Sequence, residues 1–324
     1  MIDPGIAVMQ PSFPASDEEK AHWEAEGWNI IEEATKEAEI IIISHYHYDH
    51  FSESPSLYRK KKLFIKNPNE YINDTQRTRA MRFFERLYNT FGGISLQDVL
   101  MQPEEKDYPD PYENFALAAK KDFGSYNSRR KELLSKWKKQ FNKRVERWNN
   151  NPRIPNLSFD DLQVIFPEKR SFDFGKTRLR FTEPLFHGIE YARVGWVFAT
   201  IVEYENEKFI HSSDLQGPYI EDYAAWIIQE NPTILILDGP PTYLIPYMMN
   251  LINLNRVIEN VCWILKETET ELIIFDHHLL RDIHYKERLQ KVYTTAEQLD
   301  KQIITAAEYL GQKPVILKIK DEKE

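Results

Sequence analysis

Ser44-His45-Tyr46-His47-Tyr48-Asp49-His50 follows the apolar run Glu39-Ile40-Ile41-Ile42-Ile43. Three of the nine histidines fall within six residues there, with an aspartate before the last. Imidazole nitrogens and a carboxylate at this density suit a borderline or hard divalent cation. The apolar run reads as a buried strand, so the cluster occupies the turn at its C-terminal end. An α/β scaffold commonly carries its chemistry there. One histidine in a polar turn would read as a structural residue. Four ligand-type residues in six read as a site.

Later segments repeat the arrangement of a polar group just past a strand. His187 stands in Thr182-Glu183-Pro184-Leu185-Phe186-His187-Gly188, after a strand at 178–181. Asp214 stands in His211-Ser212-Ser213-Asp214-Leu215-Gln216-Gly217, after a strand at 208–211. His277 stands in Phe275-Asp276-His277-His278-Leu279-Leu280-Arg281-Asp282, after a strand at 271–275. Taken singly, a His or Asp at a strand end is more often structural. Their order along the chain is what carries weight.

His-x-His-x-Asp-His resembles the signature of the metallo-β-lactamase superfamily, and the order His187, Asp214, His277 matches the superfamily's later ligands. The chain is most similar to an uncharacterised archaeal branch. The resemblance implies an α/β fold, an αββα four-layer sandwich. It implies two divalent ions, with zinc expected and manganese or iron also compatible with the donors. His45, His47 and His187 would hold one ion. Asp49, His50 and His277 would hold the other, with Asp214 bridging. His277 followed by Arg281 resembles the spacing of the ribonuclease Z branch. That makes His277 the expected ligand and leaves His278 and Arg281 as substrate contacts. A hydroxide bridging the metals, oriented by Asp49, would attack an ester. The pattern looks hydrolytic rather than redox.

Composition bounds the rest. The 324 residues are enough for one large domain or a domain with an insertion. Only 11 glycines occur, and no Gly-x-Gly-x-x-Gly or Walker string is present, so a glycine-rich nucleotide loop is not expected. A single cysteine, Cys262, excludes an internal disulfide and suits a reducing, cytoplasmic setting. No basic leader or run of membrane-spanning length is apparent, so no membrane partner is expected.

Net charge is −9, which disfavours attraction of the whole surface to nucleic acid. Yet Lys120 to Arg147 carries eleven basic against three acidic residues, a local +8 that leaves −17 for the remainder. Its apolar residues Leu133, Leu134, Trp137, Phe141, Val145 and Trp148 recur every three or four places. That spacing gives a helix with one buried face and a charged outer face. The expected organisation is a core at 1–66 and 160–324 with a helical, partly basic insertion at 67–159.

Helices are expected near 17–38, 75–88 (capped by Asp74, with Arg77, Arg79, Arg82 and Arg86 along it), 219–229 and 246–267. Further helices are expected to about Tyr309, with a last strand at Val315 to Ile319. The opening Met1-Ile2-Asp3-Pro4-Gly5 resembles the end of the superfamily's opening hairpin. The first sheet is therefore expected to lack one or two N-terminal strands and to expose an apolar edge. Asp238-Gly239-Pro240-Pro241 reads equally as a site rim and as a plain turn.

Substrate is the least constrained element, since one fold hosts many reactions. Arg281 favours a small anionic substrate, foremost a phosphoester or phosphodiester. A carboxylic ester, thioester or lactone is the alternative. A non-catalytic, metal-stabilised scaffold that binds nucleic acid or protein through the basic insertion is the rival of another class. Nothing in the sequence bears on oligomeric state.

Overall fold

The structure is a computed structural model that describes residues 1–7, 9 and 13–323. The elements run α1 (Asp17–Glu37), β1 (Ile40–Ile43), β2 (Lys61–Ile65), α2 (Asp74–Leu87), α3 (Asn127–Asn150), β3 (Leu157–Phe159) and β4 (Leu162–Ile165). Next come β5 (Ser171–Phe174), β6 (Thr177–Phe181), β7 (Leu185–Phe186), β8 (Trp196–Val197), β9 (Thr200–Tyr204) and β10 (Glu207–His211). Then follow α4 (Glu221–Glu230), β11 (Ile234–Asp238), α5 (Leu251–Glu267) and β12 (Leu272–Asp276). The last are α6 (Tyr285–Arg288), α7 (Gln290–Gln298), β13 (Gln302–Ile304), α8 (Ala306–Tyr309) and α9 (Val315–Lys323). The fold is mixed α/β, as the resemblance implies.

The chain divides into two compact units. Unit 1 comprises residues 1–109, 136–170 and 193–198; unit 2 comprises 110–135, 171–192 and 199–324. Residues 67–159 are shared between them, with the divisions at 109/110 and 135/136.

Unit 1 holds a four-stranded sheet in the order β1-β2-β4-β3. β1, β2 and β4 are parallel neighbours, and β3 is antiparallel to β4. Ile41, Ile42 and Ile43 are buried, as a continuous apolar run predicts for a covered parallel strand. Met1 to Asp3 run along the outer edge of β1: the Ile42 amide donates to Met1 O at 2.9 Å and the Asp3 amide to Ile42 O at 2.8 Å. α2 buries Ala80, Phe83, Phe84 and Leu87 on one face. Its N-cap is Asn73, whose side chain accepts from the Gln76 amide at 2.7 Å, rather than Asp74. Both residues are good caps; Asp74 is instead exposed and pairs with Arg147. On α3, Phe141 and Trp148 are buried, matching the apolar spacing in the sequence.

Unit 2 is built on a seven-stranded sheet in the order β13-β12-β11-β10-β9-β6-β5. β5, β6, β9 and β10 form an antiparallel run, and β10, β11, β12 and β13 a parallel one. Parallel neighbours end at the same edge of a sheet, so the segments leaving β10, β11 and β12 emerge side by side. Asp238 and Asp276 close this register as direct partners.

Three boundaries differ from the sequence reading. The long helix begins at Leu251, where the Asn250 side chain caps the Asn253 amide at 2.8 Å. The stretch read as helices to about Tyr309 also contains β13, three residues paired with β12, too short for periodicity to reveal. The expected last strand at 315–319 is the helix α9. Val-Ile-Leu-Lys-Ile looks β-branched, but Pro314 favours a helix start, and burial of Ile316 and Ile319 follows helical spacing.

Candidate metal-binding clusters

In unit 1 the loop leaving β1 is fixed from both sides. Asp3 accepts from the Ser44 amide at 2.7 Å and from Ser44 Oγ at 2.6 Å, and it lies 3.0 Å from His50 Nδ1. Ser44 Oγ is also 3.0 Å from His45 Nδ1. Because that hydroxyl donates to Asp3, it accepts from His45, which places the imidazole proton on Nδ1. His50 donates its Nδ1 proton to the carboxylate in the same way. Both rings therefore direct a lone pair from Nε2, the arrangement found behind metal-bound histidines.

Gly5 packs on the same loop. A Cβ there would sit 2.4 Å from the His50 nitrogen and 2.5 Å from the Asp49 carbonyl carbon, so only glycine permits this approach. Tyr46 points inward and donates to Lys66 O at 2.6 Å. Burial raises its phenol well above the ordinary value, so it stays protonated. Alternation along the loop then turns His45 and His47 to the same side, with ring centroids 4.6 Å apart. Asp49 Oδ1 lies 4.0 Å from His50 Nε2. Ligand atoms of Asp3, His45 and His50 fall within 4.8 Å of one another.

In unit 2 Asp214 stands between two imidazoles. Its Oδ2 is 2.9 Å from His187 Nε2, and its Oδ1 is 3.7 Å from His277 Nε2. Asp238, at the end of β11, lies 2.8 Å from His278 Nδ1 and accepts from the Gln216 amide at 3.1 Å. Asp214, Asp238, His277 and His278 bring ligand atoms within 4.8 Å of one another. Burial, reinforced by the Asp214 charge, raises the Asp238 carboxyl to about 8. Two buried carboxylates side by side repel, and a divalent cation relieves that repulsion.

Backbone geometry sets these side chains. His277 adopts a left-handed conformation (φ 64°), held by its own amide donating to Asp276 Oδ1 at 2.6 Å. Asp276 Oδ2 accepts from the Ala306 amide at 2.6 Å, tying α8 to this turn. The His187 loop is anchored three residues on by Glu190. Arg256 donates to Glu190 at 2.8 and 3.1 Å and to Glu221 at 2.7 and 3.0 Å, and Arg130 meets Glu190 at 2.8 Å. Burial opposes the Glu190 carboxylate, but the two arginines outweigh it and hold it below the ordinary value.

The clusters thus bring His45, His47, Asp49 and His50 together in unit 1, and His187, Asp214, His277 and His278 in unit 2. Arg281 donates to the Tyr243 hydroxyl at 3.3 Å. Asp3 is not among the expected site residues, and Asp238 is expected only as part of a site rim or a plain turn. The signal was present in each case: an aspartate beside a tight Pro/Gly turn, Asp3-Pro4-Gly5 and Asp238-Gly239-Pro240, next to a ligand strand.

No family model matches the chain. A UPF0282 protein of Pyrococcus furiosus is 31% identical over 329 residues, covering 96% of this chain and 79% of that protein. The chain belongs to the UPF0282 family. A UPF0282 protein of Pyrococcus abyssi is 30% identical, covering 97% and 80%. That of Methanopyrus kandleri is 27% identical, covering 98% and 87%. These UPF0282 relatives are archaeal. Among solved structures, the metallo-beta-lactamase fold protein YhfI from Bacillus subtilis matches with a TM-score of 0.37 and 12% identity over 84% of this chain and 76% of that one. No helix among the described residues of this UPF0282 chain is long and apolar enough to cross a membrane.

The donor sets fit a metal. They are imidazole and carboxylate without thiolate, buried or half-buried, with carboxylates at the Nδ1 atoms of His50 and His278 and a hydroxyl at that of His45. Such sets suit zinc, manganese or iron.

Proposed function

We propose that this UPF0282 protein is a metal-dependent hydrolase of an anionic ester, foremost a phosphoester or phosphodiester. The observation that carries the reading is Asp214, each of whose carboxylate oxygens faces a different imidazole. A carboxylate so placed is suited to be shared by two cations.

His45, His47 and His187 would hold one ion; Asp49, His50 and His277 the other; and Asp214 both. A bound pair of divalent ions supplies Lewis acidity and a nucleophile at neutral pH. The chain's own residues do the rest. Asp49 orients the attacking water and accepts its proton. Asp3, through His50 and through Ser44 to His45, fixes ring orientation and tautomer. Asp238 fixes His278, which faces the substrate or donates to the leaving group. Arg281 offers a guanidinium fork to an anionic substrate. A cytoplasmic location rests on cysteine usage, a single and buried Cys262.

Two measurements test the proposal together. Plasma mass spectrometry of the purified chain should find about two equivalents of one transition metal, lost in His45→Ala/His47→Ala. Bis-p-nitrophenyl phosphate should be hydrolysed by the loaded protein and not by Asp49→Ala. A folded protein that takes up no metal on reconstitution would overturn the reading.

A further inference from the structure

α2 presents three arginines to the ligand loop of unit 1. Arg79, Arg82 and Arg86 lie at i, i+3 and i+7, one stripe of the helix that borders its buried face of Ala80, Phe83, Phe84 and Leu87. The Arg79 guanidinium sits over the Tyr48 ring, 4.5 Å from its centroid, and donates to Tyr46 O at 3.1 Å. Arg82 is 5.8 Å from the same ring and donates to the Tyr48 hydroxyl. Tyr48 is the residue between His47 and Asp49, so the stripe abuts the loop one residue from two expected ligands.

Among the described residues the stripe meets a single carboxylate. Arg82 and Arg86 share one carboxylate, Glu53, at 2.6 and 3.3 Å. The two acids of α2 itself are engaged elsewhere: Asp74 with Arg147, and Glu85 accepting from the Leu96 amide at 3.0 Å. Three guanidiniums against one carboxylate leave two positive charges, and Arg82 and Arg86 remain half-exposed, at 52% and 49%. Solubility alone would be served by interspersed acids. Arg77 shows the contrast, since it is bound to the carbonyls of Pro68 and Pro152.

We infer that Arg79, Arg82 and Arg86, with Tyr48, form an anion subsite that binds a phosphate of the substrate outside the bond that is cleaved. Planar guanidinium forks match phosphate oxygens, and cation–π contact with Tyr48 holds two of them in place before binding. As a part of substrate recognition this rests on the hydrolase reading, but anion binding itself does not. The phosphate could belong to a small polyphosphate ester or to a nucleic-acid strand, and the two are separated by probe.

The experiment measures binding of tripolyphosphate by calorimetry and of a labelled single-stranded oligonucleotide by anisotropy, at low salt. Arg82→Gln/Arg86→Gln is compared with Lys176→Gln/Arg178→Gln, which removes the same charge from exposed positions of the β5–β6 hairpin. Arg82→Lys/Arg86→Lys keeps the charge and loses the fork, and serves also if the Gln variant folds poorly. The first variant should bind about tenfold more weakly, the hairpin variant as wild type, and the Lys variant in between. A nucleic-acid source also predicts that the log–log salt slope falls by about 1.4 for two lost contacts. Loss confined to tripolyphosphate assigns the small-molecule source. Equal weakening in both Gln variants, or no binding of either probe by wild type, would overturn the subsite. Binding that responds as expected in a protein that never hydrolyses an ester would instead remove the hydrolase reading and leave the subsite standing.

Discussion

Asp3 Oδ2 lies 3.0 Å from His50 Nδ1, linking the first turn of the chain to a histidine 47 residues later. The same carboxylate holds Ser44, which in turn holds His45. One aspartate therefore orients two candidate ligands.

Replacing Asp3 with Asn should weaken metal retention about 10–100-fold, the usual cost of losing an outer carboxylate partner. Chelator competition on the reconstituted protein reads this. Retention equal to wild type would mean that Asp3 serves only the backbone of the loop.

Gly5→Ala should act on the same loop by sterics alone. Its Cβ would collide with backbone at His50 and Asp49, which cannot rotate away as a side chain could. We expect lost metal content together with a lower thermal midpoint. An unchanged midpoint with full metal would show that the loop can shift without consequence.

The adjacent histidines are separable. His277→Ala should lose one metal equivalent, whereas His278→Ala should keep both and lose turnover. The opposite pattern would exchange their roles, and the Asp238–His278 pairing makes that comparison worth running first.

Arg256→Met should cost about 3–5 kcal/mol in urea unfolding, because it strands the buried carboxylates Glu190 and Glu221. The pH dependence follows in sign. Glu190 is held below its ordinary value of 4.5, so its contribution is complete above that value and is lost as pH falls through the lowered one. In Arg256→Met, burial acts with less opposition and raises the carboxyl, so acid unfolding should begin at higher pH. A midpoint and acid limb matching wild type would mean that Arg130 and Lys121 suffice.

The ligand loop was legible because its residue types are rare and the isoleucine run before it has one reading. β1, β10 and β12, each followed by polar residues, were placed to within a residue or two. β13 and α9 were not: three residues carry no period, and β-branched residues after Pro314 satisfy strand and helix patterns alike until burial separates them. The N-cap of α2 fell between Asn73 and Asp74, two residues with nearly equal capping propensity.

By itself the sequence determined the donor chemistry, the order of candidate ligands and the strand ends that carry them, because these depend on residue type and local periodicity. Only the tertiary structure decided which carboxylates stand behind the histidines and which arginines face the loop. Asp3 meets His50 because the first residues run along the edge of β1, and Asp238 meets His278 because β11 and β12 are parallel neighbours in register. Such pairings come from strand order and packing, which link residues far apart in the chain and leave no local pattern to read.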